Sequence, residues 1–122
     1  MEGQVVYVAA YSKLKPECIN QAQPVLTKLF EATKKEEGCL FCEYYEDVKE
    51  LGFGLTLEIF KNMEAFQAHM NSEHIKEATP ALKEWAAVPT VVRILKPLNV
   101  WAESKDTDIK ITAIITIKDE FI

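Results

Sequence analysis

The chain has 122 residues and a mass of 13.9 kDa, a size that suits one domain and is too small for two full ones. Hydrophobic residues make up 48% and charged residues 27% of it, a globular balance that excludes a disordered or fibrous protein. The net charge of -5 and the scattered lysines argue against nucleic acid as the main partner.

The N-terminal residues do not resemble an export signal. Met1-Glu2-Gly3-Gln4 lacks the basic and apolar regions of a signal peptide. No apolar run approaches the roughly 18 residues that cross a bilayer. We therefore expect a cytoplasmic protein with no membrane partner.

A strand and a helix are predicted first along the chain. Alternating side chains predict a strand over residues 5–14, and both of its faces are apolar. Apolar residues at helical spacing then predict a helix over 18–34, with a stop at Glu36-Glu37-Gly38. Pro24 interrupts this spacing, so we expect either an irregular first turn or a helix start nearer Asn20.

Two strands follow, over residues 40–48 and 53–60, and a hairpin turn at 49–52 joins them. Side chains alternate along the second of these strands. One of its faces is strongly apolar, and the other face carries a carboxylate, that of Glu58.

The remaining elements complete a recognisable order. Asn62 is a good N-cap for a helix, and Asn71-Ser72 offers a second cap before a helix that runs to about residue 87. Pro80 is expected to bend or divide this last helix. With a fourth strand over 91–98, the order is βαββαβ, which is typical of an α+β, ferredoxin-like antiparallel sheet with its helices on one face.

The cysteines are expected to be reduced. Cys18, Cys39 and Cys42 make an odd count in a chain without an export signal, which disfavours a disulfide framework. The last two form a C-x-x-C spacing, but no second pair completes a zinc site and the spacing runs into a strand. Buried small hydrophobes are the favoured interpretation.

A sheet with helices on one face leaves its other face open. We expect that face to carry Val5 or Val6, Tyr44 or Tyr45, Phe60 and parts of the last strand. A monomer would expose this apolar surface, so the pattern predicts a homodimer.

The chain divides into a domain over residues 1–98 and an extension over 99–122. The extension begins with a charged stretch at 103–108 that is typical of a linker. Alternating isoleucines then predict an extra strand at about 109–118, which we expect to pair with a sheet edge of its own subunit or of its partner.

Four short motifs occur in an order that resembles the antibiotic biosynthesis monooxygenase (ABM) family. They are Lys15-Pro16, Glu36-Glu37-Gly38-Cys39, Glu58-Ile59-Phe60, and the run from Ala65-Phe66-Gln67-Ala68-His69 through Ser72-Glu73-His74. The last is the most specific, because His69 and His74 look like the family's H-x-x-S-x-H arrangement. The resemblance covers residues 5–98.

The resemblance implies a homodimeric α+β barrel with a pocket between sheet and helices in each subunit. Family members include oxygenases of quinols and anthrones that use no cofactor, sugar-phosphate isomerases and haem-degrading enzymes. The family's third strand commonly ends in E-x-W, whereas this chain has Phe60 and so lacks the indole donor. Haem degradation is disfavoured, since His69 and Thr79 stand where those enzymes have Trp and His.

Three residues are the candidate catalytic groups: His69, His74 and Glu58. Histidine as a residue type suits proton transfer near neutral pH, and His69 is the leading base. Glu58 could orient a histidine or accept a proton if burial raises its pKa. The alternatives are a hydrogen bond from His69 to a backbone carbonyl at the helix surface or end, and local capping by His74 in a first turn. For Glu58 the alternative is an ion pair with Arg93 or with a lysine on a neighbouring strand.

We expect no metal and no cofactor. Two histidines alone cannot close a metal site, and completing a triad with Glu58 or Glu73 requires a geometry that the spacing does not promise. Five residues are candidates for contact with a small-molecule substrate, although such aromatic side chains more often belong to a core or an interface. They are Tyr11, Tyr44, Phe60, Trp85 and Arg93.

The favoured function is a cofactor-independent monooxygenase that acts on a quinol-like or polyketide-like aromatic molecule. One alternative is an isomerase of a small phosphorylated sugar, which lysines or Arg93 converging on the pocket would favour. The other is a non-catalytic dimer that binds a small apolar molecule or serves in a stress response. A pocket without ionisable groups would favour this last function.

Overall fold

The structure is a computed structural model that describes residues 4–97. Its elements follow the predicted order, with a short 3-10 turn at Pro16–Cys18 before the first helix. They are β1 (Val6–Lys13), α1 (Ile19–Lys34), β2 (Cys39–Glu46), β3 (Phe53–Phe60), α2 (Met63–Met70), α3 (Glu73–Trp85) and β4 (Val91–Leu95). The predicted strand at 109–118 and the domain division at residue 98 lie outside the described residues.

The four strands form one antiparallel sheet in the order β2-β3-β1-β4. The two central strands are therefore the first and third along the chain, which confirms the ferredoxin-like α+β fold. No helix within residues 4–97 is long and apolar enough to span a bilayer.

Both internal prolines are accommodated inside helices. Pro24 lies within α1, one turn after its start, and Pro80 lies within α3. Both are exposed. Of the two outcomes expected at Pro80, a bend or a division of the last helix, the division does not occur, because α3 continues without interruption from Glu73 to Trp85.

The caps of α2 and α3 are the two that the sequence indicates. The Asn62 carboxamide oxygen accepts a hydrogen bond of 2.8 Å from the backbone N–H of Ala65, and the Ser72 hydroxyl accepts one of 3.4 Å from that of Ile75. An N-cap of this kind stabilises a helix by about 1 kcal/mol. Two short helices thus begin at fixed positions, which matters for the histidines that they carry.

Strand register determines which side chains face the helices. Val6 pairs with Phe60 and Val8 with Glu58, so these four side chains share one face of the sheet. Phe60 is fully buried there. The expectation that Phe60 lies on the open face is therefore wrong. The face of β3 that carries Glu58 is the one turned toward the helices, and Phe60, two residues further on, points the same way.

The opposite face of the sheet is apolar as well. It carries alternate residues of all four strands, among them Tyr7, Ala9, Tyr11, Phe41, Tyr45, Leu55, Leu57, Ile59, Val91, Arg93 and Leu95. Every residue of the edge strand β4 is exposed. Tyr45 belongs to this face, whereas Tyr44 faces the helices.

Candidate active site

Three separate segments bring the two candidate histidines together with Glu36. His69 lies in the last turn of α2, His74 lies in the first turn of α3, and Glu36 lies in the turn that follows α1. The Ser72 hydroxyl donates a hydrogen bond of 2.7 Å to the carbonyl of His69 while capping α3. This short link keeps the two histidines on the same side of the helix pair.

Close packing of α2 on the turn after α1 places Glu36 beside the histidines. Gly38 lies so near Ala65 of α2 that a side chain at position 38 would collide with the Ala65 β-carbon. The backbone N–H of Lys61 also donates a hydrogen bond of 2.9 Å to the Gly38 carbonyl. The glycine of the Glu36-Glu37-Gly38-Cys39 motif therefore lets the turn approach α2 closely.

One carboxylate oxygen of Glu36 contacts both histidines. Glu36 Oε2 lies 2.7 Å from His69 Nδ1 and 2.5 Å from His74 Nε2. The side chain of Glu36 is 18% exposed and that of His69 is 3% exposed, so these hydrogen bonds are largely shielded from water. A shielded charge-assisted hydrogen bond is stronger than one in water.

The contact with Glu36 selects the tautomer of His69. Because the carboxylate can only accept a hydrogen bond, Nδ1 of His69 carries a proton and donates it. The neutral ring then keeps a lone pair on Nε2. The ring of Phe60 packs on the His69 ring with centroids 5.0 Å apart, which restricts its rotation.

The free nitrogen of His69 is directed toward Glu58. His69 Nε2 and Glu58 Oε2 are 3.6 Å apart, a close approach that is too long for a good hydrogen bond. Burial raises the pKa of the Glu58 carboxyl; the nearby His69 opposes this shift and Glu36 adds to it. His74, Glu36, His69 and Glu58 thus lie in a row of ionisable groups, in which hydrogen bonds join the first three.

This row ends at a cavity between the sheet and the helices. The cavity has a volume of about 730 Å³, and both His69 and Glu58 line it. Most of the remaining wall is apolar: Val8, Ala10, Leu14, Leu26, Leu29, Phe30, Phe66, Met70, Ile75, Leu82, Val88 and Val92. A smaller depression of about 360 Å³ between α1 and β2 shares Leu14, Leu26, Phe30 and Tyr44 but has no histidine in its wall.

The predicted substrate contacts are distributed over several places. Tyr44 lines the cavity, and Phe60 lies behind His69. Tyr11 and Arg93 are not brought to the cavity, because their neighbours Ala10 and Val92 line it and alternate residues of a strand face opposite sides. Trp85 ends α3 and is not part of the cavity wall.

The alternatives considered for the charged residues differ from what the structure contains. Glu58 faces the helices and Arg93 faces the other side of the sheet, so the suggested ion pair between them does not form. The ring of His69 contacts the carboxylates of Glu36 and Glu58 rather than a backbone carbonyl.

Glu36 is the residue that sequence reasoning missed. The sequence pattern indicates only that Glu36 lies at the end of the first helix, although Glu36 is the first residue of one of the four motifs on which the family resemblance depends. Its distance of 33 residues from His69 along the chain gives no local pattern to read. The signal available was an acidic residue two positions before a glycine that packs closely against α2.

The fold and the site define a class: a ferredoxin-like α+β protein with a histidine and carboxylate cluster at a cavity between the sheet and the helices. The family model of the antibiotic biosynthesis monooxygenases matches residues 5–81. The chain belongs to this family.

Two solved structures and one further protein are similar to this chain. A crystal structure of an antibiotic biosynthesis monooxygenase is 25% identical and has a TM-score of 0.74, covering 76% of this chain and 98% of that one. A conserved protein from Methanosarcina mazei is 28% identical with a TM-score of 0.74, covering 79% and 95%. An uncharacterized protein of Synechocystis is 25% identical over 91 residues, which are 75% of this chain and 62% of that protein.

Proposed function

We propose that the protein is a cofactor-independent monooxygenase that acts on an aromatic molecule with an acidic C–H or O–H group, such as an anthrone or a quinol. The observation that carries this proposal is the position of His69. His69 lines a largely apolar cavity together with Glu58, which lies 3.6 Å from its Nε2 atom. Glu36 holds its other nitrogen, Nδ1.

The first step is removal of a proton from the substrate. His69 Nε2 accepts the proton, and the Glu36 carboxylate stabilises the imidazolium that forms because it contacts the opposite nitrogen at 2.7 Å. This is the arrangement by which a carboxylate orients a histidine base in other enzymes. Glu58, next to Nε2, is positioned to hold the reacting group of the substrate.

The second step uses molecular oxygen as the oxidant. The substrate anion transfers one electron to O2, and the two radicals combine to form a carbon–oxygen bond and a peroxide. The proton held by His69 returns to this peroxide, and loss of water leaves a carbonyl. For a CH2 group the sum is CH2 + O2 giving C=O + H2O, so the substrate supplies all the electrons.

The shape and lining of the cavity support an aromatic substrate. Sites for small organic molecules commonly enclose about 300–1,000 Å³ and are mostly apolar, and the volume of about 730 Å³ lies within that range. Phe30 and Tyr44, whose ring centroids are 5.4 Å apart, present stacked aromatic surface at the wall.

We further propose that the protein works as a homodimer. Members of this family are commonly dimeric. The apolar face of the sheet opposite the cavity carries exposed Tyr11, Val91 and Leu95. A second copy packed on this face would remove these side chains from water.

The test is oxygen uptake with a panel of anthrones and quinols, in protein freed of metals and flavins. We expect uptake by the native chain, a large loss in His69→Gln, and little change in Glu73→Gln, an exposed neighbour of His74. Circular dichroism would establish that each variant is folded. No uptake with any substrate of the panel, from folded native protein, would contradict the proposal.

One observation favours a second candidate, a sugar-phosphate isomerase. Lys13 and Lys83 line the same cavity and could bind a phosphate. The Lys13 ammonium already forms an ion pair with Glu50 at 2.5 Å, and the wall is otherwise largely apolar, so we rank this function second. Proton exchange between solvent and a phosphorylated ketose, followed by NMR in heavy water, would detect it.

A further inference from the structure

We propose that Glu36, His69 and His74 form a binding site for one divalent transition-metal ion of the zinc type. Each residue offers one ligand atom, and these three atoms all lie within 4.8 Å of one another. Within residues 4–97 this is the one group of three or more such side chains that meets this condition. The inference does not depend on the oxygenase function.

The chemistry of the ligands indicates the type of ion. Two imidazole nitrogens and one carboxylate oxygen suit Zn²⁺, Co²⁺ and Fe²⁺, whereas Mg²⁺ and Ca²⁺ prefer sites made of oxygen alone. Three protein ligands also leave at least one position for water or another small ligand. The cluster therefore resembles metal sites that keep a free coordination position, and not structural sites in which protein ligands fill all four positions.

A small movement of the Glu36 carboxylate would make room for a metal ion among the three ligand atoms. Glu36 Oε2 now lies 2.5 Å and 2.7 Å from the two ring nitrogens, with a proton in each contact. A metal ion would replace these two protons and lie about 2.0–2.1 Å from each nitrogen. Glu36 follows the end of α1 and its side chain is partly exposed, so its carboxylate can withdraw to make room.

The surroundings of His69 supply an independent argument. A histidine that binds a metal through one nitrogen usually donates its other N–H to a carboxylate, which fixes the ring. Glu58 stands at that place, 3.6 Å from His69 Nε2 and on the far side of the ring from Glu36. Phe60 packs on the same ring. The residues that would orient a metal-binding His69, namely Glu58 and Phe60, are therefore present beside the three ligands.

Metal binding and proton abstraction by His69 exclude each other. An ion on Nδ1 leaves the neutral ring with its proton on Nε2, and that nitrogen, which faces Glu58, then has no lone pair for a substrate. Whatever reaction uses Nε2 as a base should stop when the site is filled.

The experiment uses the full chain without an affinity tag, stripped with a chelator and titrated with Zn²⁺ by calorimetry and with Co²⁺ by visible absorption. We expect one ion per chain. His74→Gln and Glu36→Gln should weaken binding by more than about 100-fold. Glu58→Gln should weaken it by about 10- to 100-fold, as outer groups do.

Exposed carboxylates beside the ligands provide matched controls. Glu37→Gln and Glu73→Gln remove the same charge one residue away and should leave the affinity unchanged. Circular dichroism would show that the ligand variants are folded; His74 is partly exposed, which makes its replacement the mildest.

Three results would overturn the proposal. The first is the absence of saturable binding to the native chain. The second is binding that survives both His74→Gln and Glu36→Gln, which would assign the ion to other carboxylates. The third is an intense thiolate charge-transfer band with Co²⁺, which would assign it to the cysteines.

Discussion

The ring of Tyr44 lies across Gly54 of the neighbouring strand, and its hydroxyl occupies the place that a β-carbon at position 54 would take. Tyr44 and Gly54 therefore fit together as a pair. The same ring stacks on Phe30 with centroids 5.4 Å apart and lines the cavity. The absence of a side chain at position 54 thus sets where one wall of the cavity stands.

Gly54→Ala should destabilise the protein by about 1–3 kcal/mol, the usual cost of overpacking a filled site. The added methyl group meets the ring of Tyr44, which would have to move and so disturb its stacking on Phe30. Chemical denaturation would measure the loss. In the double variant Gly54→Ala, Tyr44→Leu the two effects should not add, and full additivity would show that the contact has no energetic weight.

Glu36→Gln should lower kcat by removing the group that selects the tautomer of His69. The amide of glutamine can donate a hydrogen bond to Nδ1, which moves the ring proton to Nε2 and removes the lone pair from the cavity side. A histidine base contributes about 10²- to 10⁴-fold to a rate, and the loss should approach that of His69→Gln. Steady-state oxygen uptake would measure it.

Glu37→Gln is the matched control for that experiment. Glu37 is adjacent, exposed, and paired with Lys61 at 3.0 Å rather than with a histidine. Its replacement removes the same charge and should leave kcat unchanged. Equal losses of kcat in both variants would mean that removal of a negative charge from this region, and not loss of the contact with His69, lowers kcat.

Leu95→Lys should convert the proposed dimer into monomers. Leu95 pairs with Tyr7 at the edge of the sheet and lies on the face opposite the cavity, where it is 38% exposed in the single chain. A buried lysine in a sheet-to-sheet interface would be costly unless paired. Sedimentation velocity would report the mass, and Val48→Lys in the exposed hairpin turn should leave the mass unchanged.

The thiol of Cys42 should resist alkylation in the folded protein. Cys42 is 3% exposed, and burial raises its pKa well above the ordinary value, with Glu58 adding to the shift. Since the thiolate is the reactive form, raising the pH through the ordinary range of a cysteine pKa should not start the reaction at Cys42. Mass spectrometry of native and denatured samples would compare the three cysteines.

The order of elements could be predicted because it depends on local patterns. Alternation revealed the strands, and the caps at Asn62 and Ser72 marked both short helices correctly. The prolines were harder to interpret. The missing N–H of Pro24 and Pro80 weakens a helix locally, but each lies on an exposed surface where packing of the rest of the helix outweighs that cost.

The orientation of the sheet and the partner of the histidines were not predictable in the same way. Both faces of β1 are apolar, so the sequence does not say which face meets the helices. The pairing of β1 with β3 places Phe60 on the face that is turned toward the helices. Glu36 reaches the histidines only because Gly38 packs against Ala65. Contacts between distant segments leave no periodic trace in the chain.

The link between His69 and His74 has a consequence for how this site can vary. The number of residues between the two histidines matters more than which residues they are. The two rings lie on consecutive helices and both contact one oxygen of Glu36. Replacing Asn71 or Glu73, which are both exposed, would leave that meeting intact. Inserting one residue between Ser72 and His74 would turn His74 by about 100° around α3 and carry it out of reach. In related chains, insertions and deletions should therefore avoid this stretch even where point substitutions accumulate.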